Sequence, residues 1–397
     1  MYDKKYQKIT SSFESEFKRR LSPRAEFIYF DQINDKKPFC KPDWSPRLYQ
    51  DFDYIDNFYV VRADLFIHSL AQIKDNPLNF KNYLLDILSE KPYKIQHQAF
   101  FAFCQQKIDN VKAFYSPPEL NLSKLKASII IPTKDGVDLL KTCVDSILKS
   151  ENTIQIELII INNNSNENNT FEYFKELSHI KSVKVLDYLK PYNWSKINNF
   201  AASQASGDIF VFLNNDMKVI TPNWLDKLCN EAMQHNVGVV GAQLLFPDNS
   251  IQHAGMTLGM SGFIDHIYRF VMPSETNKKF ISSKNTREIS AVTGACHVIE
   301  RSKFIKFGGY DEDYMVCCSD VELCIRLNKK GLRTIYDGSV MLYHYESMTR
   351  EAKKIHHKDN YRLFWHIWYY ILNYEPYYNS NFNLKNTTPN LEKNHII

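Results

Sequence analysis

The feature that most limits this chain is a recurrence, beginning at Ala127, of short β-branched apolar runs that stop abruptly in polar loops. ASIIIP runs into TKDG, IELIII into NNNSNENN and IFVFL into NNDM. Runs of this kind form strands buried on both faces. Helical patterns lie between them. Leu140, Cys143, Val144, Ile147 and Leu148 fall at helical spacing and predict one core face. Residues 183–186 read as a further strand, and 195–206 as a helix ended by Gly207. Strands alternating with helices predict an α/β fold with a mostly parallel sheet, whose ligands bind beyond the carboxyl ends of the strands. The polar loops should therefore converge on one edge.

Neither G-x-G-x-x-G nor G-x-x-x-x-G-K-[ST] occurs, so any nucleotide must be held by side chains rather than by a glycine-rich cradle. Downstream, REISAVTGACHVIERSKF predicts a strand with a glycine kink. The following GGYDEDYMVCCSDVELCIRLNKKG predicts a loop, then a helix with Val321, Cys324, Ile325 and Leu327 on its apolar face. Ser319 is its expected N-cap, and Asp320 falls in its first turn, where negative charge is favoured. TIYDGSVMLYHYES reads as one or two short strands.

The length of 397 residues implies two or three units. Lys+Arg 49 against Asp+Glu 45 leaves only +4, too balanced for a dedicated nucleic-acid binder, so no nucleic-acid partner is expected. The first residues, MYDKKYQKITSSFESEFKRR, lack the apolar core of a signal peptide, and no run is long enough to cross a membrane. A cytoplasmic protein is the expectation. The 8 cysteines show no C-x-x-C pair and no zinc-type spacing, so reduced thiols are expected. Redox chemistry at the adjacent Cys317 and Cys318 would require a lowered thiol pKa.

Residues before 115 echo the later chain. EFIYFDQIND then PDWSPRL parallels DIFVFLNNDMKVITPNWLDKL, VVRADLF parallels VIERSKF, and NYLLDIL parallels DVELCIR. The last two share one offset, since 298 minus 60 and 320 minus 82 both give 238. A shortened, degenerate copy of a later half-domain accounts for this, as does chance similarity of two apolar patterns. Such a copy carries Asn82 and Leu84 where the later unit has Asp320 and Glu322, so it should not be catalytic.

A few residues stand out chemically. Asp216, at the end of a strand, is an oxygen donor suited to Mg²⁺ or Mn²⁺, although an Asn-Asn-Asp sequence also suits an ordinary turn. Asp320, held near helix N-terminal amides, suits a general base for a hydroxyl group, and equally suits a simple helix-start acid. Glu322 lies two residues further on and points elsewhere on the helix. His344 in YHYES and His253 in SIQHAG each suit either a ligand or a satisfied core histidine.

Taken together, SIIIPTKDG, INNNS, FLNNDM, VTGAC, GGYDE, SDVELCIRL and LYHYES resemble, in order, the family 2 glycosyltransferases of the GT-A fold. PYNWSKINNFAASQASGD and PDNSIQHAG are most similar to its bacterial rhamnosyltransferase-like subgroup, which acts on lipopolysaccharide, O-antigen and capsule precursors. The resemblance covers residues 126–350. It implies inverting transfer of a sugar from a nucleoside-diphosphate sugar to a hydroxyl of a glycan or lipid-linked oligosaccharide, with a divalent metal, Mg²⁺ or Mn²⁺, as cofactor. On that resemblance Asp320 is the base, and Asp216 and His344 are the metal ligands. Pro132, Thr133, Asp135, Asn162, Ser165, Asn199, Asn214 and Asn215 border the donor, while Gly294, Asp311 and Glu322 lie on the acceptor side. Asn214 and Asn162 stand where the family often has aspartates, which leaves fewer negative charges at the site.

An inactive sugar-binding relative is the competing reading from another class, and a sugar nucleotidyltransferase the competing enzyme. The latter would carry a glycine-rich, arginine-bearing loop where this chain has PTKDG. Residues 1–118 are thus expected to form the degenerate copy and 119–350 the catalytic domain. Residues 351–378 form an aromatic helical segment and 379–397 a poorly ordered, Asn-rich tail. RLFWHIWYYILNYEPYY, with basic TREAKKIHHK before it, suits peripheral contact with the inner face of the cytoplasmic membrane, or packing on protein.

Overall fold

The computed structural model describes residues 6–9, 13–34, 37–55, 58–72, 80–89, 91, 94–105, 120–278, 280–345, 356–373 and 375–391. The expected boundary at 118/119, most of TREAKKIHHK and the last six residues of the expected tail lie outside these.

The first unit runs β1 (Tyr6–Ile9), α1 (Phe13–Arg20), β2 (Phe27–Asn34), β3 (Lys37–Phe39), α2 (Pro46–Asp51), β4 (Tyr59–Val61), α3 (Ala63–Gln72), α4 (Phe80–Ser89) and β5 (Ile95–Gln105). The second begins with β6 (Lys126–Thr133), α5 (Val137–Leu148), β7 (Gln155–Asn162), α6 (Asn168–Ser178), β8 (Val183–Asp187), α7 (Trp194–Gln204) and β9 (Ile209–Leu213). It continues through β10 (Met217–Val219), α8 (Trp224–Ala232), β11 (Val237–Leu245), β12 (Ile251–His253), β13 (Met256–Leu258) and β14 (Ile264–His266). It closes with β15 (Arg287–Glu288), β16 (Cys296–Glu300), α9 (Arg301–Lys306), α10 (Ser319–Lys329) and β17 (Arg333–His344), after which α11 (His356–Asn373) packs back on it.

The large sheet has the order β10-β17-β11-β16-β9-β6-β7-β8. Strands β9, β6, β7 and β8 are parallel, as their uniformly apolar sequences predict. Strand β16 is antiparallel to both neighbours, so the sheet is mixed beyond β9. Helix α5 buries Leu140, Cys143, Val144 and Ile147 but leaves Leu148, at its last turn, 40% exposed. The expected glycine-kinked strand is two strands, β15 and β16, whereas the last strand pattern is one continuous strand, β17. The N-cap of α10 is Cys318 in the left-handed region (φ 71°), with Ser319 as the first helical residue.

The smaller sheet has the order β1-β5-β2, with β3 and β4 both on the outer edge of β2. The large sheet contains the same plan in β10-β17-β11, with β12 and β16 on the outer edge of β11. Registers agree too. Val60 and Gln96 flank Ile28 as Val298 and Ile335 flank Val240. The offsets are one residue apart, 298 minus 60 giving 238 and 335 minus 96 giving 239. Each long strand also carries a three-residue irregularity at the matching place, from Gln98 to Phe103 opposite Phe30–Gln32 and from Asp337 to Met341 opposite Ala242–Gln243. By this plan β2 corresponds to β11, not to β9 as the apolar words of the sequence suggest. Both β9 and β11 are fully buried runs antiparallel to β16, so pattern alone does not separate them.

The two units meet through α2. Arg47 Nε donates to Glu231 Oε1 at 2.8 Å, and the Ser45 hydroxyl donates to Glu288, which also pairs with Arg333. Residues 375–391, of which those from 379 onward were expected to be poorly ordered, instead form a strap over this junction. Asn379 Nδ2 donates to both oxygens of the fully buried Asp31 at 3.0 Å, and Asn381 Nδ2 donates to Oδ2 at 2.7 Å. Asparagine-rich composition reads as disorder, but a buried carboxylate demands such donors.

Candidate functional site

The loops after β6, β7 and β9 are tied to one another by side chains that the sequence places at the strand ends. Asp135 and Gly136 are both left-handed (φ 51° and 65°), turning the chain so that Asp135 Oδ1 accepts the Asn166 and Glu167 amides at 2.7 and 2.9 Å. The Asp135 amide in turn donates to Ser165 Oγ at 3.0 Å. Asn215 Nδ2 donates to Thr133 Oγ1 at 2.9 Å, joining the first loop to the third.

These loops wall one side of a cleft of about 1190 Å³. That exceeds the roughly 300–1,000 Å³ of an ordinary small-ligand pocket and suits two substrates. Pro132, Thr133, Asp135, Asn214, Asn215, Asp216, Gly294, Asp320 and His344 all line it. Five expected residues do not. Asn162 is buried beneath, donating to Asp187 and accepting the Ser165 amide, so Asn162 and Ser165 shape the second loop from below. Asn199 holds the Tyr310 backbone through both of its amide atoms and borders a smaller depression instead. Asp311 accepts the Asp313 amide and lies 3.8 Å from Arg362. Glu322 pairs with Arg326, which braces the Phe307 and Gly309 carbonyls.

At one end of the cleft, His344 Nδ1–H donates to Gln252 Oε1 at 2.5 Å, which turns the Nε2 lone pair toward Asp216 Oδ1, 3.2 Å away. Asn214 Nδ2 reaches the same Nε2 at a long 3.4 Å. A carboxylate oxygen facing an imidazole lone pair is an arrangement that a proton or a cation between them relieves, and one oxygen with one nitrogen donor suits Mn²⁺, or Mg²⁺ less closely. Among the described residues no group of three or more His, Cys, Asp or Glu side chains could hold a metal. A cation here would take the rest of its shell from substrate oxygens and water.

Across the cleft, Asp320 Oδ2 accepts the Gly294 amide at 2.6 Å and Oδ1 accepts the Val321 amide at 2.8 Å. Both bonds favour the charged carboxylate. Gly294 leaves little room for a side chain, because a Cβ there would sit 3.0 Å from the Trp194 ring and 3.3 Å from Asp320 Cβ.

The sequence argument missed several lining residues: Asn163, Tyr192, Trp194, Gln252, Arg269 and Asn360. Gln252 was within reach, because it neighbours His253 on a strand, where alternate side chains face opposite ways. His253 itself lies behind the wall, its Nδ1 2.8 Å from His266 Nδ1. Burial, reinforced by His266, holds the His253 pKa well below its usual value. His266 is lowered to about 4, chiefly by burial and then by the Arg269 charge, so a neutral imidazole faces the cleft near pH 7.

The family described as Glycosyl transferase family 2 matches residues 128–308. The O-antigen biosynthesis protein RfbC of Myxococcus xanthus is 35% identical over 383 residues, which is 85% of this chain and 30% of that protein. The N-acetylglucosaminyl-diphospho-decaprenol L-rhamnosyltransferase of Mycobacterium tuberculosis is 34% identical over 80 residues, 19% of this chain and 26% of its own. This chain thus spans less than a third of the length of either relative. Among solved structures, GalNAc-T7 with UDP, GalNAc and Mn²⁺ aligns at TM-score 0.44 and 15% identity over 73% of this chain and 53% of its own, too distant to bear on the site.

Proposed function

Because residues 128–308 form a family 2 glycosyltransferase domain, we propose that this chain transfers a sugar, with inversion, from a nucleoside-diphosphate sugar to a hydroxyl of a surface-glycan precursor of the O-antigen type. The observation that carries the reading is Asp320, fixed by the Gly294 amide, in the same cleft as Asp216 and His344. The acceptor hydroxyl loses its proton to Asp320 as its oxygen attacks the anomeric carbon from the face opposite the diphosphate. The bond from that carbon to the diphosphate oxygen breaks, and the diphosphate leaves with the electron pair. A divalent ion held by Asp216 and His344 would offset the charge growing on the leaving group. Asn163, Thr133 and Asp135 are assigned to the nucleoside side, and Gly294 and Asn360 to the acceptor side. Rhamnose or another hexose fits this assignment equally.

We also infer that residues 6–105 repeat the plan of 217–344 without its chemistry. The shared strand order and matching register support this, as does Asn82, which stands in the place of Asp320 and accepts the Tyr49 hydroxyl at 2.5 Å. Helix α11 buries Leu363 and Ile367 and exposes Tyr361 and Trp365, an aromatic face suited to peripheral contact with a membrane bearing a lipid-linked acceptor. No helix among the described residues is long and apolar enough to cross a membrane.

The test is nucleoside-diphosphate release from a panel of UDP-, dTDP- and GDP-sugars with Mn²⁺, Mg²⁺ or EDTA. Release from one sugar nucleotide, abolished by EDTA, is expected. No release from any of them, together with no nucleotide binding, defeats the proposal.

A further inference from the structure

Helix α11 lies wholly beyond the residues that the family matches, yet it reaches the cleft. Asp359, in its first turn and only 2% exposed, turns one oxygen onto the loop before α10. Asp359 Oδ2 accepts three successive backbone amides, from Met315 at 3.0 Å, Val316 at 2.7 Å and Cys317 at 3.1 Å. The next residue, Asn360, lines the cleft and takes the Cys318 thiol at 3.1 Å on its Oδ1.

The loop so held is the one that launches Asp320. Cys318 is left-handed (φ 71°), a conformation that costs a non-glycine residue of order 1–3 kcal/mol and persists only where its surroundings enforce it. Its other side is fixed as well, because the Trp194 amide donates to the Met315 carbonyl and the Ser195 hydroxyl to the Tyr314 carbonyl, each at 2.7 Å. Asp320 follows two residues later and must meet the Gly294 amide. One carboxylate oxygen thus ties three successive amides of this loop to α11.

We propose that Asp359 is a positioning residue for the base Asp320, acting through the 315–318 backbone, so that the helix beyond the family domain completes the acceptor side of the cleft. The proposal rests on the transferase reading above. Positioning of a reacting group to within a fraction of an ångström governs kcat more than donor affinity.

The experiment compares the full chain with Asp359→Asn and Asp359→Ala, with two readouts. The first is kcat and the donor KM for the sugar nucleotide identified by the panel. The second is iodoacetamide alkylation of Cys318, mapped by mass spectrometry, with the fully buried Cys143 and Cys229 reporting global opening. Expected are a fall in kcat of about tenfold or more for Asp359→Ala, a smaller fall for Asp359→Asn, a donor KM within about twofold, and faster alkylation at Cys318 alone. Unchanged kcat, with or without faster Cys318 alkylation, overturns the proposal. So does a loss of kcat that tracks alkylation of Cys143 and Cys229, since that is unfolding. A wild-type chain that transfers no sugar defeats the transferase reading itself, and the proposal with it. A wild type that does, matched by both variants, defeats only the role of Asp359.

Discussion

Replacing Gly294 by alanine tests directly the geometry of Asp320, the proposed base. The added Cβ would lie 3.0 and 3.1 Å from Cη2 and Cζ2 of Trp194 and 3.3 Å from Asp320 Cβ. Carbon pairs prefer about 3.5–4.0 Å, so roughly 0.5 Å must be found. Trp194 yields little, because it is buried with its ring 4.7 Å from that of Tyr310, which packs in turn on Phe212 and Phe304. The displacement therefore falls on Asp320 and on its 2.6 Å bond from the Gly294 amide. Overpacking of this size costs about 1–3 kcal/mol in stability. A 1 Å misplacement near the chemistry costs about 10²-fold, so half of that predicts about a tenfold fall in kcat, or about 1.4 kcal/mol in the barrier. Steady-state diphosphate release gives kcat, calorimetric titration with the nucleoside diphosphate gives donor affinity, and a thermal melt gives stability. The expected pattern is lower kcat, unchanged nucleotide affinity and a melting point lower by a few degrees. A variant with wild-type kcat and melting temperature would show that Gly294 and Asp320 are not mechanically coupled as argued.

Asp320→Asn keeps an oxygen for the Gly294 amide but cannot take a proton, so transfer should fall by about 10²–10⁴-fold with nucleotide affinity intact; equal turnover in both proteins removes Asp320 as the base. His97 gives a pH dependence. Burial lowers its pKa, but Asp31 at 2.9 Å and Asp43 at 3.1 Å outweigh that and raise it to about 9. A histidine raised from 6.5 to about 9 on folding contributes stability that is fully present below pH 6.5 and lost as pH climbs through 9. The whole effect is of order 3 kcal/mol. Urea unfolding from pH 6 to 9.5 should show this slope, and His97→Gln should flatten it; a parallel slope in both chains refutes the assignment. Liposomes containing anionic lipid should float the full chain but float Tyr361→Ala/Trp365→Ala less, and equal flotation removes the membrane role of that face.

The parallel half of the fold was legible because a strand buried on both faces leaves an unmistakable apolar run, and its end is marked by the first polar residue. The convergence of Asp216, His344 and Asp320 on one cleft was legible for the same reason: Asp216 follows a strand, His344 closes one, and Asp320 opens a helix. What the sequence hid was partnership across distance. Asn162, Ser165 and Asn199 have the chemistry of binding residues, but Asn162 faces Asp187, Ser165 caps the Asp135 amide, and Asn199 holds Tyr310. A polar side chain at a loop satisfies backbone first wherever burial leaves an amide or carbonyl open, and no local pattern reveals which it will do. The strap of residues 375–391 was hidden more deeply, because its asparagines acquire meaning only beside Asp31, more than 340 positions away.

The smaller sheet shows which part of such a domain is architecture and which is chemistry. By strand register Gln105 opposite Tyr6 answers to His344 opposite Met217, and by the sequence parallel Asn82 answers to Asp320. The paired strands, the three-residue irregularity and the edge strands are kept, because each satisfies backbone groups that would otherwise be buried unpaired. No such penalty protects a base or a metal ligand. Even the charge that the smaller unit does bury, on Asp31, is covered by Lys41, His97, Asn379 and Asn381 rather than turned toward an open cleft. Its polar core lies beside a joint. Arg47 and Ser45 carry that joint onto Glu231 and Glu288 of the larger unit, and Arg333, at the start of β17, shares Glu288 with it. The strand whose far end presents His344 to the cleft is thus anchored at its near end to the smaller unit.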